Sequence, residues 1–484
     1  MMSLSFSSWV RKISFIALAF VVPGLAIAQS EPVRVTVAAD SGGPALADRF
    51  LGLSYESSML LPTNGKYYFD ANDEALVNTF RTLGIKSLRV GANAVDDPRI
   101  AVPNEEDIDS LFNFARVAGV KVIYSFRLKD GNPGNSARLA SYIEVHDGDV
   151  LDSFSIGNEP SFYLKTFPKY FAVWKPYYDA ILRDVPNAMF DGPSVAEANI
   201  YAVDLANAVY GEGHLAIASD HYYFLGSGRE GEKNPAATRA RFLKNRLHAD
   251  YEKDYAKVGA VLASNGVPYR IDEMNSCYNG GAKDASDTYA STLWALDCTH
   301  WWAAHHILGV NYHTGESVGR DGGFGAANYA AFVHAPDGKG FVVRPQAYAY
   351  LAFTQGAHGR SLGVDIQAAT NFNFNAYAYH DGDDGSFYVT LINKSYSTNA
   401  IPASVSVQLL ATTQPGSWQR MDLVQKKQDV AAKTAITLGG ATVSEAGIWH
   451  GKWKKVRHAS SSDLKVTLAP ASAAILRFVP KGQH

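Results

Sequence analysis

Hydrophobic positions follow two regimes along the chain. From about position 50 to 356, short and nearly unbroken apolar runs alternate with longer stretches of helical period. The runs cover 50–56, 87–92, 121–128, 151–159, 189–195, 215–224, 269–275 and 309–315. Helical stretches include 106–118, 169–183, 236–263, 286–308 and 346–353. A near-continuous apolar run is what a strand buried on both faces shows. Eight such strands alternating with helices predict an α/β chain with a (β/α)8 TIM barrel over 46–356. A doubly wound open sheet is the alternative, but no G-x-G-x-x-G follows the first strand.

The pattern then changes. Thr, Val and Ser alternate at period two over 385–392, 403–409 and 464–468. Turn clusters such as Asp381-Gly382-Asp383-Asp384-Gly385 separate them. This predicts an all-β sandwich over 357–484. One alternating strand, 33–38, lies ahead of the barrel within the segment 29–45 and is expected to join that sandwich. Residues 1–28 read as a signal peptide: Arg11 and Lys12, an apolar run over 13–27, then Ala26-Ile27-Ala28 as a small-x-small cleavage site. The run is short for a membrane span, so the expectation is a secreted or periplasmic protein without a membrane anchor.

Composition excludes some classes. The 47% hydrophobic and 19% charged residues are those of a globular chain, and the net charge of −3 supplies no basic field for nucleic acid. The two cysteines, Cys277 and Cys298, leave a disulfide and a pair of free thiols equally open. His300, His305 and His306 share a predicted helix, but not at the i, i+4 spacing of a helical metal site. Neither a metal nor a cofactor is expected.

The chemistry sits at strand ends, because barrels of this kind carry their active sites at the C-terminal mouth. The fourth predicted strand closes on Ser155-Ile156-Gly157-Asn158-Glu159-Pro160, and the seventh on Tyr269-Arg270-Ile271-Asp272-Glu273. A glutamate on each side of one cavity suits glycoside hydrolysis. One carboxyl protonates the leaving oxygen, and the other attacks the anomeric carbon. Unequal surroundings must keep the first protonated and the second ionised. Asn158 can donate from its amide to the sugar 2-hydroxyl. Asp220-His221 is read as a structural pair at a strand end. Glu316 and His313 follow the eighth strand and receive no role.

Four stretches carry a resemblance: Gly52-Leu53-Ser54-Tyr55-Glu56, the Asn158-Glu159-Pro160 run, Asp220-His221-Tyr222-Tyr223, and Glu273 through Tyr278-Asn279-Gly280-Gly281. Gly325-Ala326-Ala327-Asn328-Tyr329 is a weaker fifth. Together they resemble glycoside hydrolase family 79, the β-glucuronidase and heparanase family. The resemblance implies Glu159 as acid/base and Glu273 as nucleophile. It implies Tyr222 as a tyrosine hydrogen-bonded to the nucleophile, and Glu56 as a holder of sugar hydroxyls. Tyr278, the backbone of Gly280 and Tyr329 would receive a uronate carboxylate. Asn279 stands where the family's animal members run directly into glycines.

The implied reaction is hydrolysis, with retention, of a terminal β-linked glucuronic acid, with or without a 4-O-methyl group. The alternatives are an endo-acting, heparanase-like enzyme, another retaining glycosidase of the same clan, and a carbohydrate-binding protein on an inactive barrel.

Overall fold

The computed structural model describes residues 31–196, 199–244, 247–318, 324–369, 372–410, 415–457 and 463–481. The leader expected over 1–28 lies outside the described residues. After an N-terminal strand β1 (Glu31–Ala38), eight parallel strands close into a barrel. They are β2 (Leu51–Glu56), β3 (Ser87–Gly91), β4 (Lys121–Phe126), β5 (Leu151–Ile156), β6 (Phe190–Val195), β7 (Leu215–Ser227), β8 (Tyr269–Tyr278) and β9 (Gly309–His313). Pairing of β9 with β2, from Leu51↔Val310 to Ser54↔His313, completes the ring. Every residue of β3, β6 and β9 is buried, because helices cover one face and the packed barrel interior the other.

The eight predicted strands are all present, and their ends differ in ways that matter. β5 stops at Ile156. Gly157 then takes φ +84° and Glu159 φ +45°, left-handed backbone that cannot extend a strand. β7 and β8 run past their predicted ends and stay paired out to Ser227↔Tyr278. The helix predicted over 236–263 is three helices, Pro235–Phe242, His248–Lys257 and Gly259–Ser264. The amphipathic period persists across such breaks, so hydrophobicity alone does not mark them. Among the described residues, no helix is long and apolar enough to cross a membrane. Cys277 and Cys298 are both buried free thiols, so no bridge links them.

The remaining long strands build the second body. Arg360–Gln367 is its corner: its first residues pair with Phe374–His380, and its later ones with β1. β1 pairs in parallel with Ala403–Leu410 on its other edge. Alternation turns Val33, Val35 and Val37 of β1 inward against Val389, Val405, Val407, Trp418 and Leu476, which form the sandwich core. Residues of the opposite parity, including Tyr377, Tyr379 and Ile475, join the barrel's own core instead. The sandwich is therefore fixed to the barrel through the helix Tyr289–Ala303, of which every residue is buried.

Candidate active site

The turn after β5 presents the first glutamate. The Glu159 amide donates to the Ser194 carbonyl at 2.8 Å, and Pro160 opens a short 3-10 turn, Pro160–Phe162. Asp96 anchors this loop by accepting from the Asn158 amide at 2.9 Å, the Leu128 amide at 2.8 Å and the Tyr163 hydroxyl at 2.8 Å. The strained backbone of Glu159 is thus held from three directions, and its carboxylate is aimed over the mouth.

The second glutamate sits on a bulge. Pairing of β8 with β9 slips between Ile271 and Met274. The slip lets two successive carboxylates, Asp272 and Glu273, reach the same cation, which simple alternation would forbid. That cation is Arg89 of β3, fully buried, whose guanidinium lies 2.6 Å from Glu273 Oε2 and 3.4 Å from Asp272 Oδ2. The nitrogen on Glu273, Nη1, also donates to Ser54 Oγ at 3.1 Å, and Nη2 donates to Asn158 Oδ1 at 2.7 Å. The Tyr223 hydroxyl donates to Glu273 Oε1 at 2.8 Å, and His313 Nδ1 lies 3.9 Å from Oε2.

Burial would push the Glu273 carboxyl up, but His313, His221, Arg89 and the Tyr223 hydroxyl together hold it well below the usual carboxylate range. Glu273 is therefore an anion at neutral pH. His221 Nδ1 lies 2.9 Å from Glu159 Oε1. Burial disfavours the imidazolium, yet Glu273, Glu159 and Asp272 outweigh it and raise the ring to about 9. One oxygen of Glu159, one of Glu273 and one nitrogen of His221 all lie within 4.8 Å of one another. Such a trio could in principle grip a metal ion. Here both Glu273 oxygens are already engaged, Oε2 by Arg89 and Oε1 by the Tyr223 hydroxyl, so the trio does not fit one.

The structure brings Glu56, Glu159, Glu273, Tyr278, Gly280 and Tyr329 around one cavity of about 1080 Å³. Asn158 lines the adjoining cavity instead. With its oxygen on Arg89, its amide nitrogen turns to Asn93 Oδ1 at 3.3 Å. Tyr222 requires a correction. Its ring packs away from the site against Tyr251 and Trp302, and it is Tyr223 that bonds Glu273. Strand parity is the reason: His221 faces the mouth, so Tyr223 does too and Tyr222 cannot. His221 needs correction as well, since it contacts Glu159 while Asp220 turns outward to the Tyr269 hydroxyl. Arg89 was missed altogether, although a lone arginine inside the apolar run of β3 is a buried charge that must find a partner. His313 and Glu316 line the cavity.

Tyr329 reaches the cavity because two loops are tied together. The Asn328 amide donates to the Gly280 carbonyl at 2.6 Å and its side chain to the Gly281 carbonyl at 3.0 Å. Gly281, at φ +79°, must be glycine: a Cβ there would meet the Tyr329 ring at 2.9 Å and its backbone nitrogen at 3.0 Å.

Comparison with known proteins gives the following likenesses. No family model matches the chain. It is 23% identical over 336 residues to a β-glucuronidase of Aspergillus niger, across 60% of either chain. Its fold is similar to a 4-O-α-L-rhamnosyl-β-D-glucuronidase from Fusarium oxysporum, with a TM-score of 0.66 at 20% identity over 91% of this chain and 99% of that one. It is similar to a GH51 arabinofuranosidase from Xanthomonas axonopodis pv. citri, with a TM-score of 0.65 at 14% identity over 93% and 100%. The chain thus has the barrel-and-sandwich fold of glycoside hydrolases.

Proposed function

We propose that the protein is a retaining glycoside hydrolase that removes terminal β-linked glucuronic acid, with or without a 4-O-methyl group, from glycans or glycosides. The observation that supports the retaining chemistry is the close approach of the two carboxylates, one oxygen of Glu159 lying within 4.8 Å of one oxygen of Glu273. Double displacement uses carboxyl groups about 5–5.5 Å apart, whereas inversion needs about 6.5–9.5 Å to admit a water.

In the first step Glu273 attacks the anomeric carbon as the glycosidic C–O bond breaks, and Glu159 passes its proton to the departing oxygen. In the second, Glu159 takes a proton from water, which displaces Glu273. The residues around the pair suit these roles. Arg89 and Tyr223 fix Glu273 as an oriented anion. His221 Nδ1, 2.9 Å from Glu159 Oε1, holds that carboxyl in place over the mouth.

The uronide assignment rests on the loop residues and on the Aspergillus niger relative, 60% of whose length this chain spans. The Tyr278 and Tyr329 phenols and the Gly280 amide can receive a carboxylate without an arginine. Burial and the nearby Glu273 charge push the Tyr329 phenol well above its ordinary range, so it is a neutral donor. Among the described residues, neither Lys nor Arg lines the cavity, which favours an exo-acting enzyme over one that grips a sulfated polymer.

The test is a panel of p-nitrophenyl β-glucuronide, β-glucoside, β-galactoside, β-xyloside and α-L-arabinofuranoside, with anomer formation followed by proton NMR. The β-glucuronide should be preferred and should release the β-anomer first. Turnover of another glycoside with an inert glucuronide overturns the sugar assignment, and first release of the α-anomer overturns the retaining mechanism. Export is part of the same proposal, and N-terminal sequencing of the mature chain checks the cut after Ala28.

A further inference from the structure

The cavity at the mouth does not end at Glu159. A second cavity, of about 410 Å³, shares Asn93, Glu159 and Phe162 with the first and continues along Asp97, Arg99, Lys129 and Tyr163. Its size falls within the roughly 300–1,000 Å³ of ligand clefts. Phe162 stands at the junction and is 60% exposed, although it follows the acid/base by only three residues. Its amide donates to the Glu159 carbonyl at 3.0 Å, so ring and carboxyl are carried by one rigid turn.

The direction of the reaction assigns the two cavities. The donor sugar must lie against Glu273, and the bond that breaks must point at Glu159. Whatever departs therefore lies beyond Glu159, on the Phe162 side. An exposed aromatic ring at the rim of a cleft offers a face on which a ligand can stack. The groups around the ring are polar. Asn93 is beside it, Arg99 is tied to Asp97 at 2.5 Å, and Lys129 holds its ammonium 5.7 Å over the Tyr163 ring. Lys129 has no carboxylate partner among the described residues. An apolar face ringed by hydrogen-bonding groups matches a pyranose, with C–H bonds on its faces and hydroxyls at its rim. It matches a plain aryl group less well, because that would not use the hydrogen-bonding groups at the rim.

We infer that Phe162 is a stacking platform for the sugar residue that leaves, with Asn93, Arg99 and Lys129 facing its hydroxyls, so that the enzyme acts on oligosaccharide ends. This rests on the glycosidase reading above but not on which donor sugar is bound.

The test uses whichever donor the panel identifies, presented as its methyl glycoside and as a disaccharide. The readout is the disaccharide-to-methyl ratio of kcat/KM for the wild type, Phe162→Ala and Phe162→Tyr. The ratio should fall roughly tenfold in Phe162→Ala and recover in Phe162→Tyr, as expected for one lost stacking contact. Using the identified donor keeps the outcome independent of the uronide assignment. An unchanged ratio, whether or not absolute activity drops, would show that Phe162 only positions Glu159 and would overturn the inference.

Discussion

Two buried carboxylates in this molecule have almost the same electrostatics and opposite fates. Glu273 lies at the barrel mouth on the Arg89 guanidinium. Asp297 lies on the helix Tyr289–Ala303, where the barrel meets the sandwich, 2.7 Å from the fully buried Lys394 ammonium. Asp297 also accepts from the Tyr377 hydroxyl at 2.7 Å and from Asn375 at 2.8 Å, with His248 at 3.3 Å. Burial raises both carboxyls, and neighbouring cations bring both well below the usual range. A shifted pKa therefore does not separate catalysis from structure here. Access does. The partners of Asp297 seal it between two domains, whereas Glu273 faces a cavity with a second carboxylate within 4.8 Å.

The sharpest division comes from removing each anion. Glu273→Ala should lower kcat/KM by at least roughly 10³-fold. Its unfolding midpoint should fall less than that of Asp297→Asn, because Asp272 remains beside Arg89. Asp297→Asn should do the reverse. It strands the Lys394 charge in the interior and should cost about 3–5 kcal/mol, read by urea unfolding, while kcat of the folded enzyme holds. Replacing both partners, as Asp297→Leu with Lys394→Met, should restore most of that loss. A large fall in kcat for Asp297→Asn without loss of stability would break the comparison.

Acidity separates the same two regions. The folded values of Glu273 and Asp297 lie below their ordinary range, so their stabilising contributions are present above about pH 4 and are lost as pH falls. His221 runs the other way. Its folded value of about 9 exceeds the ordinary 6.5, so its contribution is complete below 6.5 and is lost as pH rises through about 9. A shift of that size corresponds to about 3 kcal/mol at most. The acid limb is shared by both regions, and the alkaline limb belongs to the mouth. The unfolding free-energy gap between wild type and His221→Asn should close between pH 6.5 and 9. The gap for Asp297→Asn should stay flat there and close only in acid. Parallel behaviour of the two gaps would dissolve the distinction.

The two regions were unequally legible in the sequence. The strands and both catalytic candidates follow from apolar runs and from the residues that end them, because burial on both faces writes itself into consecutive positions. The seam does not. Asp297 and Lys394 are 97 positions apart, and nothing local in either segment announces the other. The Arg89–Glu273 pair spans 184 positions and was hidden for the same reason. The paired Asp272 and Glu273 depend on a bulge, which hydrophobic alternation cannot foretell. Tyr223 is different: its orientation follows from parity once His221 is known to face inward, but nothing local in the sequence marks His221 as facing inward.

That point supplies the finest test. Tyr222 and Tyr223 are adjacent, the first buried and the second half-buried, and both phenols are pushed well above their ordinary range, first by burial. They differ in which way the strand turns them. Tyr223→Phe removes one hydrogen bond to an ionised carboxylate, typically about 1.5–3 kcal/mol, so kcat/KM should fall roughly 10- to 100-fold. Tyr222→Phe removes the hydroxyl of a ring that packs on Tyr251 and Trp302 and should leave the rate within about twofold. A methyl glycoside of the identified donor is the right substrate, since it leaves the Phe162 side empty and isolates the nucleophile. Equal losses in the two variants would mean that the register of β7 is wrong, and that the inward face carries Tyr222 after all.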